Sequence, residues 1–341
     1  MVFCKRYIEI VKITMGKIYE IANEVGVSTA TVSRVFNKKP YVKEKVRQKV
    51  LGAARRLGYS PKFTARKDNI AMIVEGLDRI NLGNYETLLI ATISRYLIKE
   101  RFNFEIIPIH EIDFLHQNFI EGALAILYDS ESIKKIKTAV NSVPVLTINY
   151  PLENFHGVYS DHKQGMKLAM EYLAKHRHAR IGLFLDYFTS WGSKERIKGY
   201  QESVKEFHLE FDEERIQSRE KQSIFEAVAR IVKTKPTALI IASEDSVLPV
   251  TYALHLLDKK IPADISVVSY ENKRISQYLS PPHTTISQHL EEMAEISVEK
   301  MAGIVRGEEN GKVVVAIENS LIERDSVKKE GGDEQWKRKG K

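Results

Sequence analysis

Residues 17–37 read KIYEIANEVGVSTATVSRVFN, and the fold of the N-terminal end is decided there. Ile18, Ile21, Ala22 and Val25 recur at i, i+3, i+4 and i+7, the apolar face of a short helix. Gly26 follows, and glycine takes the left-handed backbone of a sharp turn at little cost. Ser28 is an N-cap residue type for a second helix. In that helix Val32, Val35 and Phe36 make one apolar stripe. Thr29, Ala30, Ser33, Arg34 and Asn37 fall off the stripe, leaving a face of small and polar groups with one Arg. The pattern predicts a helix-turn-helix whose second helix fits a major groove.

Charge agrees with that reading. The chain of 341 residues carries 52 Lys or Arg against 45 Asp or Glu, a formal net charge of +7. Residues 15–67 hold thirteen Lys or Arg against Glu20, Glu24 and Glu44, an excess of ten, so the remainder sums to −3. The basic excess sits in the small N-terminal unit, where phosphate neutralisation needs it.

Length and composition bound the rest. The chain is too long for one average domain. Its 43% hydrophobic content with mixed charge describes a soluble globular protein. No run approaches eighteen apolar residues, so no membrane span is expected. Residues 1–14 have a basic pair but no long apolar core, and do not read as a secretory signal. Cys4 is the single cysteine, which excludes an internal disulfide and a multi-cysteine metal cage and suits a cytoplasmic protein. GxxxxGK[ST], GxGxxG, GxSxG and HExxH are all absent. The sequence therefore points to no enzyme, no cofactor and no metal.

After Asn37, Lys38-Lys39-Pro40 reads as a loop. Val42, Val46, Val50, Ala53 and Leu57 then keep helical spacing up to Gly58, a C-terminal stop, and predict a third helix over 43–57. From Ile70 short apolar runs alternate with amphipathic stretches. The runs are 70–74, 104–109, 123–128, 143–148, 180–185, 237–242 and 264–269, with a later one at 313–317. Helical stretches fall near 84–101, 130–141, 161–177, 193–208, 224–234 and 246–259. Such alternation means parallel sheets with helices on both faces, and so many strands call for two Rossmann-like lobes. Ligands of open α/β sheets sit beyond the carboxyl ends of strands. The polar residues there are Asn149, Asp186, Ser243, Glu244, Glu271 and Asn272. Converging carboxylates and amides suit the hydroxyls of a sugar, and Trp191 and Tyr85 offer rings to stack on it.

The helix-turn-helix closely resembles the DNA-binding head of the LacI/GalR family of bacterial repressors, through Tyr19, Glu20, Ala22, Gly26-Val27-Ser28, Thr31-Val32-Ser33-Arg34-Val35 and Asn37. Residues 59–67 resemble the family's hinge at Tyr59, Pro61, Ala65 and Arg66. They depart from it at Asp68, where the family places a Leu that wedges into the minor groove. The resemblance runs on to about Ser326 and is strongest over Pro262–Ser287. The shortened stretch at 75–120 and the compact hinge resemble the evolved-β-galactosidase repressor branch more than the purine branch.

The resemblance implies an α/β protein: an N-terminal three-helix head plus a two-lobed core of periplasmic-binding-protein type. The head spans 15–59, the hinge 60–69 and the core 70–326, with 1–14 and 327–341 disordered or artefactual. It implies base reading by Thr29, Ala30 and Arg34, and phosphate contacts from Tyr19, Ser28, Thr31, Ser33 and Asn37, with Ala65 and Arg66 meeting DNA from the hinge. Arg196, in Arg196-Ile197-Lys198-Gly199-Tyr200, matches the family's effector-binding Arg, while Asn149 and Glu271 fall where the family places Asp. Arg196 and Glu271 are expected to meet between the lobes. The partners implied are a double-stranded DNA operator, a sugar effector and a second copy of the chain. A sugar-binding transport protein shares the two-lobe core, and the basic head separates the two readings.

Overall fold

A computed structural model describes residues 17–36, 41–57, 59, 69–77, 83–116, 120–128, 130–139, 143–271, 275–309 and 311–329. Asn37, residues 60–68 with Ala65, Arg66 and Asp68, and the two ends at 1–16 and 330–341 lie outside them.

The head is three helices: α1 (17–25), α2 (Thr29–Phe36) and α3 (Glu44–Arg56). Gly26 takes φ +73°, and Val27 N–H returns to the Ala22 carbonyl at 3.0 Å, so the chain reverses within one residue. Ile21, Ala22, Val32, Val35, Phe36, Val50, Ala53 and Ala54 close over one another, and Tyr59 lays its ring 5.4 Å from that of Phe36. Glu24 accepts from Arg56 Nε at 3.1 Å, and Lys17 donates to the Leu57 carbonyl at 3.1 Å, tying α1 to the end of α3.

Two six-stranded sheets make the core. The first contains β1 (Asn69–Val74), β2 (Asn103–Pro108), β3 (Gly122–Ile126), β4 (Val145–Ile148) and β5 (His156–Ser160), covered by α4 (Asn84–Lys99) and α5 (Ser130–Ala139). The chain then crosses to the second lobe with α6 (His162–Lys175), β6 (Ile181–Leu185), α7 (Trp191–Glu206), β7 (Ile216–Ser218), α8 (Ile224–Lys233), β8 (Ala238–Ile241), α9 (Val247–Leu256), β9 (Ser266–Glu271) and β10 (Thr284–Ser287). It returns through α10 (Leu290–Arg306) and β11 (Val314–Ile317), and crosses once more into β12 (Ser320–Ile322). The orders are β11-β5-β4-β3-β1-β2 and β12-β10-β9-β8-β6-β7. Every pairing is parallel except β10 with β12. Both faces of each sheet are covered, which is why the strands read as continuous apolar runs such as IAMIV.

The eight expected strands and six expected core helices all occur. Four strands and one helix were not foreseen. β5 carries a Gly, and β7, β10 and β12 are only three or four residues long, too short for a periodicity to declare itself. α10 buries Leu290, Met293, Ala294, Ser297, Val298, Met301 and Ala302, a helical spacing carried mostly by small residues and Met. The chain also keeps its place past Ser326, where the expected core ends: Val327 packs on the second lobe, Lys328 N–H donates to Ser266 Oγ at 3.0 Å, and the Lys328 carbonyl meets His178 Nε2 at 2.9 Å. His178 is thus a buried structural histidine, its other nitrogen 3.0 Å from Thr237 Oγ1.

α6 and α7 cross with almost nothing between them. A Cβ on Gly199 would lie 2.8 Å from the Lys163 carbonyl oxygen and 3.1 Å from Met166 Cβ. The neighbouring Tyr200 is fully buried and donates to the Ile181 carbonyl at 2.6 Å, so α7 cannot easily back away. Gly199→Ala is therefore expected to destabilise the protein by about 1–3 kcal/mol. Thermal unfolding checks this, and an unchanged midpoint would show that the helices separate freely.

Candidate functional site

The head presents its second helix with the face the sequence predicts. Ser28 Oγ accepts from the Thr31 N–H at 3.1 Å, the N-cap bond of α2, and lies 2.9 Å from Thr31 Oγ1. Val32, Val35 and Phe36 are buried, whereas Ala30, Ser33 and Arg34 are exposed and Thr29 is half-buried. Arg34 makes no hydrogen bond or ion pair with the described residues, and Tyr19 is 61% exposed on α1. The free guanidinium on a fixed apolar base is the geometry that base-edge reading asks for.

The second site is a cavity of about 650 Å³ between the lobes. Its walls come from the carboxyl ends of both sheets. Glu75 follows β1, Tyr128 follows β3 and Asn149 follows β4, while Asp186 follows β6, Arg219 follows β7, Ser243 to Asp245 follow β8, and Gln288 follows β10. Tyr85 and Glu86 enter from the first turn of α4, and His162 and Arg196 from α6 and α7.

Hydrogen bonds fix these groups before any ligand arrives. Tyr85 donates to Asn149 Oδ1 at 2.6 Å. Glu75 Oε2 accepts from the Tyr128 N–H at 2.8 Å. Asp186 is held by Arg219 Nε at 3.2 Å and accepts from Ser243 Oγ at 2.5 Å and from Ser246 Oγ. Arg196 lies over the Tyr270 ring, 4.7 Å from its centroid, and its buried Nε finds no acceptor. Burial raises the hydroxyls of Tyr85 and Tyr128 well above their ordinary range. Burial, and then the charge of Arg196, hold His162 well below 6.5, so that at neutral pH it is a neutral imidazole with one donor and one acceptor.

Of the effector residues expected from the sequence, the cavity gathers Tyr85, Asn149, Asp186, Arg196, Ser243 and Glu244, and Asn272 lies outside the described residues. Trp191 does not line it. Its ring packs behind the wall against Tyr159, His162 and Tyr150 at 5.3, 5.4 and 5.9 Å, and its neighbours Gly192 and Ser193 reach the cavity instead. Glu271 does not line it either, and does not meet Arg196. The carboxylate is 2% exposed, pairs with Arg324 Nη2 at 2.6 Å, and accepts from Thr285 Oγ1 and the Ser276 N–H, each at 3.1 Å. The reason is the pleat: neighbours on a strand point to opposite faces, so when Tyr270 faces Arg196, Glu271 must face away. Glu75, Tyr128, His162, Arg219, Asp245 and Gln288 were missed. Glu75 and Tyr128 follow strands that the sequence shows and were legible by that rule, whereas Arg219 and Gln288 follow strands of three and four residues that left no signal.

Comparison with known proteins identifies the architecture. Residues 17–62 match the family model for bacterial regulatory proteins of the lacI family, and residues 170–327 match a periplasmic binding protein-like domain. The head is thus a lacI-type DNA-binding domain, joined to a periplasmic binding protein-like core. The chain is 27% identical over 332 residues to the HTH-type transcriptional repressor PurR of Vibrio vulnificus, covering 92% of this chain and 99% of the relative. The PurR of Pasteurella multocida is 26% identical over 337 residues, with the same shares covered. These relatives carry the name PurR, not that of the evolved-β-galactosidase branch. Two solved structures share the fold, each with TM-score 0.69 and 23% identity: a transcriptional regulator CelR–cellobiose complex and a Lac repressor dimer bound to operator and the anti-inducer ONPF. They cover 91% of this chain and 99% and 98% of their own. A lacI-type head ahead of such a core is the arrangement of a DNA-binding transcriptional repressor. Among the described residues no helix is long and apolar enough to cross a membrane.

For such a regulator the exposed guanidinium of α2 gives a direct test. Arg34→Ala is expected to cost about 1–3 kcal/mol of operator affinity and to relax preference at one base position. A gel-shift series at fixed salt measures this. Equal binding by both proteins would remove Arg34 from the reading face.

Proposed function

We propose that the protein binds a near-palindromic operator as a homodimer, one head per half-site, and that a sugar held between its lobes controls that binding. The observation that carries the reading is the cavity itself: both lobes supply it, and its groups are carboxylates, an amide, hydroxyls and Arg196, the set that pairs with vicinal hydroxyls. A ligand that touches both sheets favours one angle between them, and the angle sets how far apart the two heads of a dimer stand. Useful regulation needs a difference of only about 1–3 kcal/mol between the two forms.

The dimer reading is supported by an apolar stripe on the second lobe. Leu248, Tyr252 and Leu256 follow one another along α9 at 53%, 63% and 56% exposure, and Tyr278 stands 82% exposed. Large apolar groups lined up in this way mark a protein interface. Base reading by Thr29, Ala30 and Arg34, with phosphate contacts from Tyr19, Ser28, Thr31 and Ser33, is supported by the exposed face of α2 beside the basic excess of the head.

A purine is the competing effector. Its support is the name of the relatives that match over nearly their whole length. Calorimetry with galactosides, other mono- and disaccharides and purine bases decides between the two. A sugar that binds supports the proposal, and a purine that binds in place of any sugar overturns the ligand class while keeping the cavity. With the ligand in hand, Arg196→Ala is expected to weaken it ten- to hundredfold, because a buried ligand group then loses its partner at about 1–3 kcal/mol. Operator affinity without effector stays unchanged. Equal binding by wild type and Arg196→Ala would move the site elsewhere.

A further inference from the structure

At the mouth of the cavity the first turn of α4 is completed by the opposite lobe. The N-cap residue of α4 is Gly83, which has no side chain to accept a bond. The acceptor is Asp245, 161 residues beyond Asn84, on the loop after β8 in the second sheet. Its Oδ1 accepts from the Asn84 N–H at 2.8 Å. A carboxylate at this position satisfies an orphan helix donor and also meets the positive end of the helix dipole. The approach is close: a Cβ on Gly83 would stand 2.3 Å from Asp245 Oδ2 and 2.3 Å from Glu86 Oε2, the ends of two side chains that can turn aside.

We infer that Asp245 is a latch between the lobes and the positioning residue for Tyr85. The bond exists only when the second sheet stands against the first, since α4 packs on the first sheet with α10 and Asp245 rides on the second. What it holds is the turn that carries Tyr85, whose hydroxyl donates to Asn149 on the cavity wall. Closing the cleft therefore caps α4, and capping α4 sets the Tyr85 ring against Asn149. A second crossing contact lies nearby, where the Trp191 N–H points at the Tyr128 carbonyl at 3.4 Å, but it joins two backbones and no side-chain change removes it. The latch biases the lobes toward the closed arrangement before ligand binds. A ligand then spends less of its binding free energy on moving the lobes.

The inference deepens the proposed reading, in which the angle between lobes is the regulated quantity, yet its test needs neither effector nor operator. Full-length protein without ligand is compared by amide hydrogen exchange and small-angle X-ray scattering. Asp245→Ala is expected to speed exchange in the first turn of α4 about fivefold, the equivalent of one N-cap bond, and to raise the radius of gyration. Asp245→Asn keeps an oxygen acceptor and is expected to restore both values toward wild type. Gly83→Ala pushes the Asp245 carboxylate aside and is expected to speed α4 exchange in the same direction, by less than Asp245→Ala, with Asp245 in place. The inference is overturned if α4 in Asp245→Ala exchanges as in wild type, if the radius of gyration does not change, or if faster exchange spreads evenly through both sheets. Failure of every sugar and purine to bind would sink the proposed effector and leave this result standing. An unaltered α4 would sink the latch and leave the ligand screen standing.

Discussion

Asn319 holds together the place where the chain passes between lobes. Its Nδ2 donates to the Asp161 carbonyl at 2.7 Å, its Oδ1 accepts from Ser160 Oγ at 3.0 Å, and its N–H donates to Gln164 Oε1 at 2.9 Å. Two of the crossings, β5 into α6 and β11 into β12, are thereby knotted side by side, and Asn319 is 5% exposed. A Cβ on Gly165 would lie 2.9 Å from the Asn319 side chain, so the helix runs over the knot with nothing to spare. Every distance across the cavity depends on this fixed end, because the lobes can change their angle only by pivoting about it.

Above that pivot the cavity follows from strand polarity. Each parallel sheet aims its carboxyl ends one way, and a chain that crosses back and forth brings the two sets of ends face to face. The groups found there are therefore whatever follows a strand: Glu75, Tyr128, Asn149, Asp186, Ser243 and Gln288. Chemistry is then tuned by neighbours. Asp186 spends its oxygens on Ser243, Ser246 and Arg219, while His162 is kept neutral by burial and by Arg196.

Much of this was written openly in the sequence. The head was legible almost residue by residue, since a helix of eight residues with three buried ones leaves little choice of face. The long apolar strands of both sheets announced themselves because parallel sheets bury both sides. Two kinds of information stayed hidden. The short strands β7, β10 and β12 owe their place to neighbours already in the sheet, not to any pattern of their own. Side-chain direction at a strand end was the other: Glu271 sits one residue past Tyr270, and that single step turns it from the cavity to Arg324. Trp191 failed for a related reason, as the first residue of a helix lies where its ring can fall behind the wall as easily as into it.

The late return of the chain has a consequence for its synthesis. The head draws its core from residues 18–59 alone and can close while the ribosome is still at work. Neither lobe can. The first sheet waits for α10 and β11, and the second waits for β12 and for Arg324, without which the buried Glu271 keeps an unpaired charge. Both lobes thus reach completion within the same last stretch of translation, so a ribosome that stalls at residue 280 releases a finished DNA-binding head joined to two unfinished halves of its control.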